Sequence, residues 1–311
     1  MNCKKFVNKE IKKIKKTVGS NRAVSVLSGG VDSSTVTILG HKSLGDKLKT
    51  VFINNGLMRE REPENVVKTF KKLGINVEII NAKDKFFRAL KKKTDPEKKR
   101  KAISDVFYKD VFKKIVKQSK IKFLLQETIL TDVEETVAGI KKQHNVLTQI
   151  GINPEKEFGY QVVEPLIELR KDDVKKVAKL LGLPKTIYQR IPFPGPALSA
   201  RVIGEVNLKK IALIRKATAI TEQELKGSGA FQYFPVLMED KATGVRKGKR
   251  EFGNIIIIRC VESKDARTAA PTKLSWKVLE RITKRLITEI PEVNRVCYDI
   301  TPKPPATIEY I

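Results

Sequence analysis

The sequence predicts an α/β fold in which a parallel, doubly wound sheet is followed by a smaller C-terminal α+β domain. Three observations lead there. Strand-like and helix-like segments alternate through residues 1–190, the pattern of a parallel sheet with helices on both faces. An apolar, β-prone run at 23–27 passes through a Ser-Gly-Gly turn straight into a helical pattern. After the proline cluster Ile191-Pro192-Phe193-Pro194-Gly195-Pro196 the order changes to a long helix, paired strands, a helix and strands again.

Taken in order, Phe6, Val7, Ile11, Ile14 and Val18 recur at helical spacing and predict an amphipathic first helix. Strands are expected at 23–27, 50–54, 76–80, 122–125 and 161–164, with helices near 33–42, 61–73, 95–119 and 171–181. The proline cluster sets the domain boundary, giving domains 1–190 and 191–311. Beyond it a helix near 207–226, strands near 231–238 and 254–261, a helix near 274–288, and strands near 294–300 and 306–310 are expected. Ligands of parallel sheets gather beyond the carboxyl ends of the strands. That directs attention to Ser28–Ser33, Asn54–Arg59, Gln126–Asp132 and Pro165.

Composition narrows the class. A chain of 311 residues with 41% hydrophobic content and no long apolar run holds two ordinary domains and argues against a membrane span. Cys3, Cys260 and Cys297 are scattered, without CxxC spacing, which disfavours a disulfide framework or zinc site and suits a reducing cytoplasm. With only His41 and His144, a multi-histidine metal site is excluded. The basic N-terminus lacks the apolar core of a secretion signal. Lys and Arg number 63 against 35 Asp and Glu, a formal charge of +28. Such a field attracts nucleotides, nucleic acid or an acidic partner, although lysines spread over helices are equally a solvated surface.

The segment Ser28-Gly29-Gly30-Val31-Asp32-Ser33-Ser34 carries the chemistry most directly. A strand-turn-helix presents backbone N–H groups at a helix N-terminus, where phosphate binds. Two glycines allow close anion approach, and Ser28, Ser33 and Ser34 add hydroxyl donors. Asp32 makes sense there with a metal ion or as a helix cap. The Lys-Ser/Thr pair of a Walker A loop is missing.

Leu57, after the turn glycine Gly56, suits the flat face of a base, and Arg59 could reach a phosphate. Thr94–Lys101 reads as a helix start, with Thr94 or Asp95 as cap and Pro96 in the first turn; its basic end could close as a lid. Lys141, beside His144, is suited to neutralise charge on an α phosphate and departing pyrophosphate. Near the C-terminus, Pro302, Pro304 and Pro305 stiffen a loop that carries Lys303, with Glu309 just beyond.

The Ser28–Ser34 wording is similar to the SGGxDS pyrophosphate loop of the N-type ATP pyrophosphatases. Pro192–Arg201 and Lys303–Glu309, with Thr94–Lys101, Lys141–Val146 and Gly244–Arg250, extend the likeness over nearly the whole chain. In these segments the sequence resembles the ATP-pyrophosphatase subunit of GMP synthetases of the archaeal two-subunit type. The resemblance implies an adenine nucleotide alpha-hydrolase-like first domain and a C-terminal dimerisation and XMP-binding domain. It implies a ligase that aminates xanthosine 5′-monophosphate (XMP) to GMP, with ATP and magnesium, in the cytoplasm. A homodimer and a separate glutamine amidotransferase subunit that supplies ammonia are implied too.

Residue by residue, the resemblance places Ser28, Gly29, Gly30, Val31, Asp32, Ser33, Ser34 and Leu57 at ATP. It places Asp32 at magnesium, Arg100, Lys303 and Glu309 at XMP, and Lys141 in the adenylation step. None of the cysteines stands in the Gly-x-Cys-x-Gly setting of a class I glutaminase. The chain departs from the family's wording at Glu127 for glycine, Thr131 for proline, Gln143 for histidine and Ala197 for glycine. Two alternatives stay open: a tRNA-modifying ATP pyrophosphatase, which the charge suits, and a catalytically weakened nucleotide-binding paralogue.

Overall fold

The computed structural model describes residues 1–119, 121–137, 155, 159–264 and 266–310. Two compact units divide the chain. The first takes Met1–Asn54, Glu62–Ala82 and Ser104–Arg190; the second takes Asn55–Arg61, Lys83–Ile103 and Ile191–Ile311.

In the first unit five parallel strands, β1 (Ala23–Leu27), β2 (Leu48–Asn54), β3 (Val77–Asn81), β4 (Phe123–Leu125) and β5 (Gln161–Val163), run in the order β3-β2-β1-β4-β5. All pairings are parallel, in keeping with the doubly wound sheet read from the sequence. The order reverses at β1, so the turn after β1 stands at the switch point where such sheets bind ligands.

Helix α1 (Cys3–Val18) is capped by Asn2, whose side chain accepts from the Lys5 N–H at 3.0 Å. It packs against α2 (Val31–Leu44) with Phe6, Val7, Ile14 and Val18 buried. Most of α2 is buried as well, because it crosses the centre of the sheet. Gly40 permits that approach: a Cβ there would stand 2.3 Å from a Leu125 methyl and 3.0 Å from a Leu48 methyl. A buried hydroxyl pair, Ser25 with Thr37 at 2.7 Å, ties the helix to β1. Around it Leu39, Val51, Phe52 and Phe70 form a fully buried core; truncating a leucine in such a core to alanine costs roughly 2–5 kcal/mol. Helices α3 (Glu62–Lys72) and α7 (Leu130–Val137) also belong to this unit; the sequence pattern did not predict α7.

The long helix expected at 95–119 is interrupted. Helix α5 (Pro96–Asp105) gives way to a π segment, Val106–Phe112, before α6 (Lys113–Ser119). The wider turn directs the aromatic and β-branched residues of this stretch into packing, with Phe112 edge-on to Tyr160 at 5.1 Å.

The second unit holds a four-stranded sheet. Strands β6 (Gln232–Arg246) and β7 (Lys249–Glu262) form a long antiparallel hairpin, β9 (Val293–Asp299) pairs with β7 in parallel, and β8 is the short Ala270–Pro271. Helices Leu208–Glu224 and Trp276–Glu289 accompany it, as does α4 (Lys83–Leu90), which the sequence pattern did not predict. The strand expected at 306–310 is not formed. Pro304 and Pro305 have no N–H to donate to a ladder, and the carbonyls of Thr307 and Ile308 accept from Arg259 instead.

Candidate active site

The Ser28–Ser34 turn leaves β1 and enters α2 with the backbone its sequence requires. Gly29 adopts φ +79°, a left-handed conformation. A Cβ there would meet a Glu62 oxygen at 2.9 Å and an Arg190 nitrogen at 3.0 Å. Arg190 pairs with Glu62 and donates to the Gly29 carbonyl at 2.9 Å, so an ion pair braces the turn from behind. Nothing local in the sequence marks either residue for this task.

Within the turn Ser28 and Ser33 hydroxyls lie 2.9 Å apart, and Ser28 Oγ accepts from the Gly30 N–H at 3.3 Å. Among the described residues no side chain caps α2, which leaves its first-turn N–H groups to an anion. Val31 is nearly buried, and Ser34 is fully buried, its hydroxyl without a partner among the described residues. Asp32 forms an ion pair with Lys171, while its other oxygen, Oδ1, is buried and unpartnered among the described residues.

Beyond β4 the chain runs Gln126-Glu127-Thr128, with the Asp132 carboxylate accepting from the Ile129 N–H at 3.1 Å. Glu127 keeps a partly open side. Burial nonetheless pushes its carboxyl up to about 7, aided by the negative charge of Asp32 and opposed by Lys171 and a hydrogen bond from Ser33. The Tyr108 phenol is pushed up by its own burial and by Glu127. This turn thus sets two carboxylates beside a phosphate-type loop, with Lys171 to offset them.

Magnesium, which the fold family implies, fits one half of this arrangement. The orphaned Asp32 oxygen is a hard oxygen donor of the kind magnesium takes. Among the described residues no group of three or more His, Cys, Asp or Glu could hold a metal unaided. Phosphate oxygens of a nucleotide would therefore have to share such an ion. Lys141 and Gln143 lie outside the described residues.

The second unit collects the remaining candidates. Asp95, rather than Thr94, caps α5: its carboxylate accepts from the Lys98 N–H at 2.8 Å. Lys99 is buried, and its ammonium donates to the Val202 carbonyl at 2.7 Å. Burial, with Lys210 nearby, lowers it to about 8 against the pull of Glu239 and Asp95. Arg100, partly exposed and paired with Glu97, lines a recess shared with Pro96, Lys99, Pro196, Ser199 and Ala200.

Lys303 donates to the Ala266 carbonyl at 2.7 Å and exchanges backbone hydrogen bonds with Ala269. Glu309 accepts from Gln232 and lies 3.4 Å from Arg201; its Oε2 is buried and unpartnered among the described residues. Arg201 is fully buried between the rings of Phe193 and Phe234, at 4.8 and 4.5 Å. Its Nε and Nη1 likewise have no partner among the described residues. Buried donors and a buried acceptor thus stand close together with hydrogen-bonding capacity left over for a further polar group. Arg201 and Gln232 escape sequence reasoning because only the tertiary fold brings them to Glu309.

Leu57 is fully buried, and its carbonyl accepts from the Leu198 N–H at 2.9 Å. Arg59 pairs with Glu222 at 2.6 Å and stacks on Phe193 at 4.0 Å.

A parallel sheet with a phosphate-type turn at its switch point and a second unit with an unsatisfied polar cluster define a nucleotide-binding enzyme class. Family models agree with both halves: "NAD synthase" matches residues 2–198 and "GMP synthase C terminal domain" matches residues 219–310. The chain is 48% identical over 313 residues to a glutamine-hydrolyzing GMP synthase subunit of Pyrococcus abyssi, covering all of both chains. It is 48% identical over 310 residues to the Archaeoglobus fulgidus protein of the same name, again covering all of both. For the Methanocaldococcus jannaschii protein the figures are 48% over 312 residues, with 99% of this chain and 98% of that one covered. The chain belongs to this family of glutamine-hydrolyzing GMP synthase subunits.

Proposed function

We propose that this chain is a ligase that aminates XMP to GMP with consumption of ATP, using ammonia delivered by a separate glutaminase subunit. The observation that carries the reading is the open Ser28–Ser34 turn at the sheet's switch point, in a chain matching that family end to end. No helix among the described residues is long and apolar enough to cross a membrane.

In this reading the N–H groups of the turn and the Ser28 and Ser33 hydroxyls hold the ATP phosphates. Asp32 would be the residue to hold magnesium, which would supply charge neutralisation for the departing pyrophosphate. Lys171, paired with Asp32, adds a positive charge beside the turn. Arg100, Lys303 and Glu309 hold XMP, whose O2 attacks the α phosphate; a P–O bond forms as pyrophosphate leaves. Lys141 serves that step. Ammonia then adds at C2, loses a proton, and AMP departs with the O2 oxygen. The protein contributes mostly positioning and charge.

Pairing of two copies belongs to the same proposal, with the Lys303 loop completing the site of a neighbouring subunit. Glu127, a carboxylate beside the phosphate turn, favours a second reading in which nucleotide is bound but turned over poorly. Incubating the purified chain with XMP, ATP, magnesium and ammonium decides between them. GMP and pyrophosphate formed in equal amounts support the ligase. ATP binding without either product supports the weakened paralogue.

A further inference from the structure

The last residues of the chain have little regular structure of their own, yet they hold two of the proposed nucleotide contacts. Among the described residues of 300–310, the backbone makes an isolated bridge from Lys303 to Ala269 and a turn bond from the Ala306 N–H to Pro302 at 3.1 Å. The two ends of the segment are gathered by one side chain. Arg259, on β7 and fully buried, stands opposite Asp299 in the β7–β9 register. Its Nη1 donates to Asp299 Oδ2 at 2.6 Å and to the Thr301 carbonyl at 3.1 Å, at the start of the segment. Its Nη2 donates to the Thr307 carbonyl at 2.7 Å and its Nε to the Ile308 carbonyl at 2.9 Å, at the end.

One planar guanidinium thus closes both ends of the loop between Thr301 and Ile308. Lys303 lies inside that closure and Glu309 is the next residue after it. We infer that Arg259 is the positioning residue of the nucleotide-binding tail: it sets where Lys303 and Glu309 stand, without touching substrate itself. The inference rests on the reading of those two residues as XMP contacts.

The chemistry is specific to arginine. Only a fork with donors in one plane reaches a carboxylate and three carbonyls from two directions; an ammonium offers three donors from a single point. The carbonyls of Thr307 and Ile308, which stand in no sheet ladder, are satisfied by this cation. Pre-ordering the loop removes an entropy loss that would otherwise accompany binding. A role confined to holding the sheet would not need bonds to both loop ends, since β7 and β9 already pair through their backbones.

The test uses the full-length chain with ammonium as nitrogen donor, comparing Arg259→Lys, Asp299→Asn and Lys303→Ala with the parent. Arg259→Lys should raise KM for XMP by about 10- to 100-fold while leaving KM for ATP within about twofold, as expected when a contact is misplaced rather than removed. Amide hydrogen exchange should quicken across 300–310 and stay unchanged in β6 and in the first unit. Asp299→Asn, which keeps the loop's shape but weakens one end, should give the same pattern to a lesser degree. An unchanged XMP KM in folded Arg259→Lys, when Lys303→Ala does raise it, overturns the inference alone. An unchanged XMP KM in Lys303→Ala overturns the reading of the loop and the inference with it. If Arg259→Lys and Asp299→Asn both fail to fold, or move both KM values together, Arg259 is a staple of the whole unit and the inference is wrong.

Discussion

The phosphate turn and the C-terminal cluster are both assigned to a nucleotide in the proposed reading, and they are built in opposite ways. The turn is one unbroken run, Ser28–Ser34, whose donors are backbone groups and short hydroxyls fixed by local geometry. The cluster draws Arg201, Gln232 and Glu309 from distant parts of the chain and relies on long polar side chains. A local site is written in consecutive residues and needs only its strand and helix to form. A dispersed one exists only after the surrounding unit has folded, and it depends on supports from elsewhere in the chain, the part inferred above for Arg259. The first kind should fail by losing chemistry, the second by losing affinity.

The largest effect expected from that contrast is at Asp32. Asp32→Asn keeps the side chain's size, so the thermal midpoint should stay within a few degrees of the parent. Pyrophosphate release should fall by about 100- to 1,000-fold, the scale of a lost charge-stabilising group at a reacting centre. Parent-like turnover at limiting magnesium would remove Asp32 from any metal role and blur the contrast.

Lys303→Ala comes next. Losing one charge-assisted contact should weaken XMP binding by about 1.5–3 kcal/mol, roughly 10- to 150-fold, with ATP binding nearly unchanged. Mixing this variant with Asp32→Asn under verified subunit exchange should restore activity if the loop serves a neighbouring copy. No recovery would assign Lys303 to its own protomer.

The smallest effect concerns Glu127, where the local site carries a group its neighbours do not welcome. Its carboxyl, held near 7 in the folded chain, lies above the ordinary carboxylate value. Below about pH 4 it is protonated both folded and unfolded and costs nothing. As pH rises toward 7 the unfolded chain ionises first, so stability falls through that window and stays lower above it. For the same reason ATP affinity should weaken above about pH 7, by up to about tenfold per pH unit. Glu127→Gln should flatten both profiles; titration calorimetry at about pH 6 and about pH 8, either side of the folded value, reads the difference. Equal affinities at the two pH values in the parent would show that a cation fully offsets the charge.

The same division explains what the sequence disclosed. The parallel strands were legible because β-branched and apolar residues such as Ala23–Leu27 and Thr50–Ile53 lie buried between helices, and the phosphate turn followed from its glycines. The β6–β7 hairpin extends well past its expected ends, since in the outer part of β6 the half-buried positions are Ala242, Gly244 and Arg246, and on β7 the large apolar Phe252 is exposed, which leaves no apolar alternation to read. Residues 306–310 read as a strand because Ile308 and Tyr310 alternate, but their carbonyls answer to a guanidinium far away in the chain. Arg201 closes the Pro192–Arg201 segment, yet no role could be read for it there: an arginine after a proline-rich run is ordinary until two aromatic rings close on it.

The path of the chain through its two units has a consequence for inheritance. Asn55–Arg61 and Lys83–Ile103 belong to the unit whose bulk begins only at Ile191. Within that unit Arg215 donates to the carbonyls of Gly56 and Met58, and Lys99 to that of Val202. A gene cut at the obvious proline-rich joint would encode a fragment with Arg215 and the Val202 carbonyl stripped of those partners. During synthesis, the early segments must wait for more than half the chain to emerge before their unit can close. The two halves are therefore not cassettes that recombination could exchange one at a time. A lineage carrying this interlaced path passes on both units together.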